Sequence, residues 1–393
     1  MYAYWSRGQN TPGMVLRASD KEKAGAVAVR WDARALALTA GVKSETMPGS
    51  SCWEAPMPRI ACLVIALILL AACARFPALE GPLEISKQGS FIVGGRELRS
   101  AGLSVVPEYA SGTVTVGQMY VRYQVPAWVQ GPAMIFVHGC CLTGKTWETT
   151  PDGRMGWDEY FLRRGHPVYV VDQVARGRSA TDTTAVNLVK LGRAPAESLP
   201  RVFAAGHESL WDIFRFGPEY GKVHPGLRFP VAAAAELWKQ IVPDWNASLP
   251  QPNPTVAALS ELATRLDGAV IFSHSQSGVF PLQAVAIDPR GIVGIVMIEP
   301  AGCPDAGEDV NAYRRQPILV VWGDFVEESP RWGPRMKACK AFATAVTANG
   351  GRAENMELTR LGIHGNSHML MQDTNNLEIA DLMIDWLREN VRR

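Results

Sequence analysis

The sequence has almost no net charge: 39 basic against 38 acidic residues leave +1. That balance excludes a strong electrostatic preference for nucleic acid or for an anionic membrane surface. No internal repeat marks a solenoid. No apolar run reaches the roughly 20 residues of a membrane-spanning helix. Cysteine is sparse, with seven in 393 residues. What remains is ordinary for a globular chain, 47% hydrophobic and 20% charged, long enough for one large domain or two smaller ones.

The longest apolar run, Ile60 to Ala74, follows a single Arg59. It is too short to span a bilayer and has the length of a signal-peptide core followed by small residues. "LAAC", ending at Cys73, also resembles a bacterial lipobox, which makes Cys73 a candidate lipid anchor. The expectation is an exported protein: periplasmic, secreted or outer-membrane lipid-anchored. Residues 1–56 show no sustained periodicity, so the simplest reading starts the natural chain at Met57, with 57–73 as the signal and 1–56 as a mis-called extension. Cys140, Cys141, Cys303 and Cys339 are then left to pair in an oxidising compartment, with three connectivities open. Cys140 and Cys141 are an odd pair. Consecutive Cα atoms sit about 3.8 Å apart, below the usual disulfide range of roughly 4.4–6.8 Å.

From residue 76 onward, strand and helix patterns alternate. "SFIVGG" and "GQMYVRYQVP" read as short antiparallel strands. "AMIFVHG", "PVYVVDQ", "AVIFSHS", "GIVMIEP" and "ILVVWGD" are continuous apolar runs, as strands buried on both faces are. Leu377, Ala380, Ile384, Leu387 and Val391 mark one helix face. The pattern predicts an α/β fold with a doubly wound, mainly parallel sheet. Its core is expected over 76–180 and 256–393. Residues 181–255 are too long for a normal connection and are rich in aromatics. They are expected to form a cap with its own aromatic core, a lid over a pocket, or both.

"AVIFSHSQSGVF" carries the main chemical signal. A buried strand runs into Ser273-His274-Ser275-Gln276-Ser277, the context of a G-x-S-x-G nucleophile elbow with Ser275 as nucleophile. Both glycines of the pattern are serine here, and a plain helix cap is the bland alternative. "MIFVHGCC" ends an earlier strand with His138-Gly139, where esterases of such architecture build an oxyanion hole. That makes the backbone N–H groups of Cys140 and Gln276 candidate donors, and His138 a loop-orienting residue. Of the seven histidines, His368 stands in a flexible Gly-Asn-Ser-His loop before the last helix, the place for the base. His364 is read as loop support. Glu299 and Asp324 each end a strand after the nucleophile strand, and either could orient the imidazole. The commoner position favours Asp324, but position alone leaves both open.

With these residues in place, the chain resembles the bacterial secreted esterases of the α/β-hydrolase superfamily typified by the Alcaligenes esterase with a vicinal disulfide. The resemblance runs from about residue 85 to the C-terminus, on "HGCCLTGKTWETTPDGRMGWDEYFLRRG", "VVDQVARGRSATD", "SHSQSG", "IEPAGC" and "GNSHMLMQDTNN". It implies Glu299 as the acid, ahead of Asp324. It also implies a bond between Cys140 and Cys141, a second between Cys303 and Cys339, and a homodimer. No metal or cofactor is expected. The expected activity is serine carboxylic-ester hydrolysis of a small-molecule ester through a Ser-His-Glu triad and an acyl-enzyme. The alternatives are an amidase, peptidase or lactonase with the same triad, or a non-catalytic binding protein on the same fold. A Cys140–Cys141 bridge would lock a distorted loop with its N–H aimed at the reacting carbonyl.

Overall fold

The computed structural model describes residues 81–391. The expectations for 1–56, for 57–73 and for Cys73 lie outside the described residues. Eight strands form one sheet: β1 (Ile85–Ser100), β2 (Gly112–Pro126), β3 (Ala133–Val137), β4 (Val168–Asp172), β5 (Ala269–His274), β6 (Ile292–Ile298), β7 (Ile318–Trp322) and β8 (Ala353–Glu357). Their spatial order is β1-β2-β4-β3-β5-β6-β7-β8. β2 pairs antiparallel with β1 and β4, and the remaining pairs are parallel. With helices on both faces, this is the α/β-hydrolase architecture. The two leading strands are longer than the sequence pattern suggests. β1 runs through Gly94 and Gly95, whose φ values of 66° and 95° turn the backbone without ending the pairing.

The continuous apolar runs arise because the central strands are covered twice. Met134, Phe136, Val270, Phe272, Val296 and Ile298 face one apolar layer, while Ile135, Val137, Ile271, Ile295 and Met297 face the other. Helices α1 (Trp157–Arg163), α2 (Thr184–Lys190), α3 (His207–Ile213), α4 (Ala234–Trp238), α5 (Pro254–Arg265), α6 (Phe280–Ile287), α7 (Gly333–Ala348) and α8 (Asn376–Asn390) follow in chain order. α1 and α8 cover the first layer, and α5, α6 and α7 cover the second. Ala380, Ile384 and Leu387 of α8 are buried, at the spacing expected for its packed face.

The insertion carries α2, α3 and α4. Its aromatics do not form a core of their own, which corrects one expectation. Trp211, Phe214, Phe216 and Phe229 belong to the same apolar cluster as Met369, Leu370 and α8. The segment around His368 lies against them: the His368 N–H donates to Phe214 O at 3.0 Å, joining that loop to the insertion within the one apolar cluster. Cys303 and Cys339 are bonded and tie the chain after β6 to α7. Among the described residues, no helix is long and apolar enough to cross a membrane.

Candidate active site

Ser275 stands directly after β5 with φ of 56°, in the left-handed region that a non-glycine residue enters at a cost. Its neighbours explain why serine can replace both expected glycines. Ser277 is buried; its Oγ accepts from His274 N at 3.1 Å and lies 3.1 Å from Val137 O as a donor. Ser273 is buried as well and donates to Gly278 O at 3.3 Å. Each hydroxyl therefore has a partner where an unpaired one would be costly. Space is the constraint at Gly139 and Gly278 instead. A Cβ on Gly139 would lie 2.9 Å from Ser275 Cβ, and one on Gly278 would lie 2.4 Å from Pro300 Cβ.

The histidine side of the site is fully buried. His368 Nδ1 stands 3.1 Å from Glu299 Oε2. A carboxylate only accepts, so Nδ1 carries the proton and neutral His368 keeps Nε2 as an acceptor. That Nε2 is buried with no hydrogen-bond partner among the described residues. His274 donates from Nε2 to His368 O at 3.0 Å, and the two rings lie 4.6 Å apart, so the histidine loop rests on the elbow. The loop is fixed, not flexible as the sequence suggested. Asp373 accepts from Ser367 N at 2.8 Å, Ser367 Oγ at 2.7 Å and Asn366 Nδ2 at 2.9 Å. Trp332 covers the His368 ring at 4.1 Å.

Glu299 ends β6 with φ of 48°. Its carboxylate also takes Gly323 N at 2.6 Å and both terminal nitrogens of Arg215 at 2.6 and 2.7 Å. Burial opposes ionisation, but Arg215 and His368 outweigh it and pull Glu299 down to about 2. Burial also lowers His368; the bond to Glu299 pushes back up, and the Arg215 charge adds to the lowering. Asp324 is turned elsewhere. It accepts from Gly365 N at 2.8 Å and supports the loop that holds His364, which is exposed.

On the other side lies the His-Gly loop. His138 donates from Nδ1 to Gly139 O at 2.9 Å and accepts from Gln173 N at 3.0 Å, which fixes the loop. Burial and the Arg176 charge hold its pKa down at about 4, so it stays neutral. Asp172 accepts from Gly144 N and Arg178 N, pinning both ends of the surrounding turns. Cys140 and Cys141 are bonded to each other, and Cys141 has φ of 62°. The N–H groups of Cys140 and Gln276 donate to no loop or side-chain acceptor among the described residues. Gln276 is held by its side chain. Its Nε2 donates to Asp244 Oδ2 at 2.9 Å, and its Oε1 accepts from Arg176 at 3.1 Å. Arg176 and Asp244 close the ring with a buried ion pair. The Asp244 carboxylate also lies within 4.8 Å of both cysteine sulfurs.

Sequence reasoning missed Arg215, Arg176 and Asp244. One signal was available for Arg215. It sits in "DIFRFG", a lone cation among apolar residues, and a buried cation needs a buried counter-charge.

No family model matches the chain. Two comparisons are informative. A solved structure described as that of a novel bacterial esterase is 60% identical, covers 81% of this chain and 99% of its own, and superposes with a TM-score of 0.78. A protein of a fungal species, named as a probable secreted lipase, is 28% identical over 346 residues, which is 74% of this chain and 92% of that relative.

Proposed function

The chain belongs to the family of that bacterial esterase and is a carboxylic-ester hydrolase; on that premise we propose that it works through Ser275, His368 and Glu299. The observation that carries the proposal is the state of His368. Nδ1 is committed to Glu299, and Nε2 is buried, unpartnered and next to the elbow. Nε2 takes the Ser275 hydroxyl proton as Oγ attacks the ester carbonyl. The carbonyl oxygen becomes an oxyanion held by the N–H groups of Cys140 and Gln276. His368 then protonates the leaving alcohol, and Ser275 keeps the acyl group. Water, deprotonated by His368, attacks the acyl-enzyme; the acid leaves and Ser275 regains its proton. Glu299 fixes the tautomer and stabilises the transient imidazolium. Loss of one oxyanion donor costs roughly 3–4 kcal/mol of transition-state stabilisation.

The test is Ser275→Ala with a chromogenic short-chain ester. A fall in kcat of about 10⁴–10⁶-fold is expected, with labelling by a serine-reactive phosphonate abolished. Retained turnover would sink the assignment.

Export is part of the same proposal, supported by the signal-like run Ile60–Ala74 and by the fungal relative named as secreted. Mass spectrometry of the mature N-terminus tests it and reads out lipidation at Cys73 directly. A homodimer is proposed from the family resemblance, and a monomer in sedimentation at assay concentration would overturn it.

A further inference from the structure

The geometry points to Arg215 as a positioning residue of the triad: from inside the 181–255 insertion it holds Glu299 in the orientation that His368 needs. The inference rests on the roles given above to Ser275, His368 and Glu299.

The local backbone is the first observation. Helix α3 ends in a Schellman motif: Phe216 N bonds Trp211 O at 3.1 Å, and Arg215 N bonds Asp212 O at 3.0 Å. The motif puts Arg215 in the left-handed region, with φ of 55°. Glycine is the usual residue there, and a side chain makes that backbone conformation unfavourable. A residue kept in such a conformation needs a reason outside its own turn.

The side chain supplies that reason. All three guanidinium nitrogens are engaged: Nε donates to Asp324 O at 2.9 Å, and the other two fork onto the Glu299 carboxylate at 2.6 and 2.7 Å. The pair is buried, with 2% of the Arg215 side chain and none of Glu299 exposed. With Gly323 N and His368, each carboxylate oxygen receives two donors, so the plane of the acid is fixed. A lysine could supply the charge but not the fork.

The second consequence is electrostatic. The groups facing His368 are Glu299 from the end of β6, Arg215 from the insertion, Arg331 from the segment before α7, and His274 from the elbow. Asp373 lies in the loop of His368 itself, and burial pushes its carboxyl up to about 6 against its bonds from Ser367 and Asn366. Taking away the Arg215 charge leaves Glu299 less opposed, so His368 should titrate at higher pH. Asp373 keeps its hydrogen bonds in any Arg215 variant, but the Arg215 charge also holds its carboxyl down. Loss of that charge therefore raises Asp373 and His368 together; Arg215→Lys, which keeps the charge, shows whether a moved limb comes from Arg215.

The experiment compares Arg215→Gln and Arg215→Lys with the wild-type chain, following kcat, KM and the pH profile of kcat/KM. Thermal unfolding confirms folding. Arg215→Gln should lose about 10–100-fold in kcat with little change in KM. Its acidic limb should move up by about one pH unit. Arg215→Lys should recover part of kcat and keep the limb near its wild-type position. A folded Arg215→Gln protein with an unmoved limb, or with wild-type kcat, overturns the inference. Should Arg215→Gln fail to fold, Arg215→Lys decides: wild-type kcat overturns the inference, and a reduced kcat at unchanged KM supports it. Turnover retained in Ser275→Ala would instead overturn the triad reading, whatever Arg215 does.

Discussion

Asp244 and Gln276 are 32 residues apart in the chain and share a 2.9 Å hydrogen bond that ties the insertion to the residue following Ser275, the proposed nucleophile. Arg176 bonds both, so neither side chain can turn without breaking a buried ion pair or leaving it short of a partner. The backbone N–H of Gln276 is thereby held from the side-chain end.

Asp244→Ala removes the anion of that ring and strands a buried guanidinium. Breaking one partner of a buried pair costs about 3–5 kcal/mol of stability. The melting temperature should fall, and in the protein that remains folded kcat should drop about tenfold or more while KM changes less. Steady-state kinetics alongside a melting curve measures both. An unchanged kcat would detach Asp244 from the oxyanion donor proposed at Gln276.

The choice between the two carboxylates is testable by isosteric replacement. Glu299→Gln should lower kcat by about 10⁴-fold, since the wrong tautomer of His368 is then favoured. Asp324→Asn should cost less than about tenfold, because Asp324 supports the neighbouring loop and does not touch His368. The reverse ranking would move the acid to Asp324.

The Cys140–Cys141 bond lies in the loop proposed to offer an oxyanion donor. Cys140→Ser with Cys141→Ser, or mild reduction verified by mass, should lower kcat about tenfold or more and leave KM within about threefold, as loss of a transition-state contact does. Full activity after verified reduction would leave the bond with no role beyond tying the loop.

Stability against pH should carry the mark of Glu299. Its pKa is about 2 in the folded protein against 4.5 when free, so its contribution is complete above pH 4.5 and is lost as pH falls through 2. Asp373 has the opposite sign: raised to about 6 from 3.8, its contribution is complete below pH 3.8 and is lost as pH rises through 6. The gap in melting temperature between wild type and Glu299→Gln should therefore shrink as pH falls from 5 to 2. A constant gap would contradict the depressed carboxyl.

Much of this was legible in the sequence because it is local. The apolar runs of β3 to β7, the strand-to-helix context of Ser275 and the late position of His368 each need only a short window. The acid was ambiguous for a physical reason. Glu299 and Asp324 end adjacent parallel strands, β6 and β7, and only the direction of each side chain separates them. Arg215 and Asp244 were not legible because their partners, Glu299 and Arg176, lie 84 and 68 positions away. The stiffness of the His368 loop was hidden for a related reason. "GIHGNSH" has the composition of a mobile turn, and its order comes from the buried carboxylate of Asp373.

The two ionic anchors of the insertion have a consequence for shuffling parts among related enzymes. The segment 181–255 looks like an interchangeable module, bounded by core strands on both sides. Yet it carries half of each of two buried pairs, the cation for Glu299 and the anion for Arg176. A recombination that exchanged this segment alone would bring in neither charge unless the donor had both at matching positions. The unit of exchange is therefore the segment together with its two core partners, although those partners lie outside its ends in the chain.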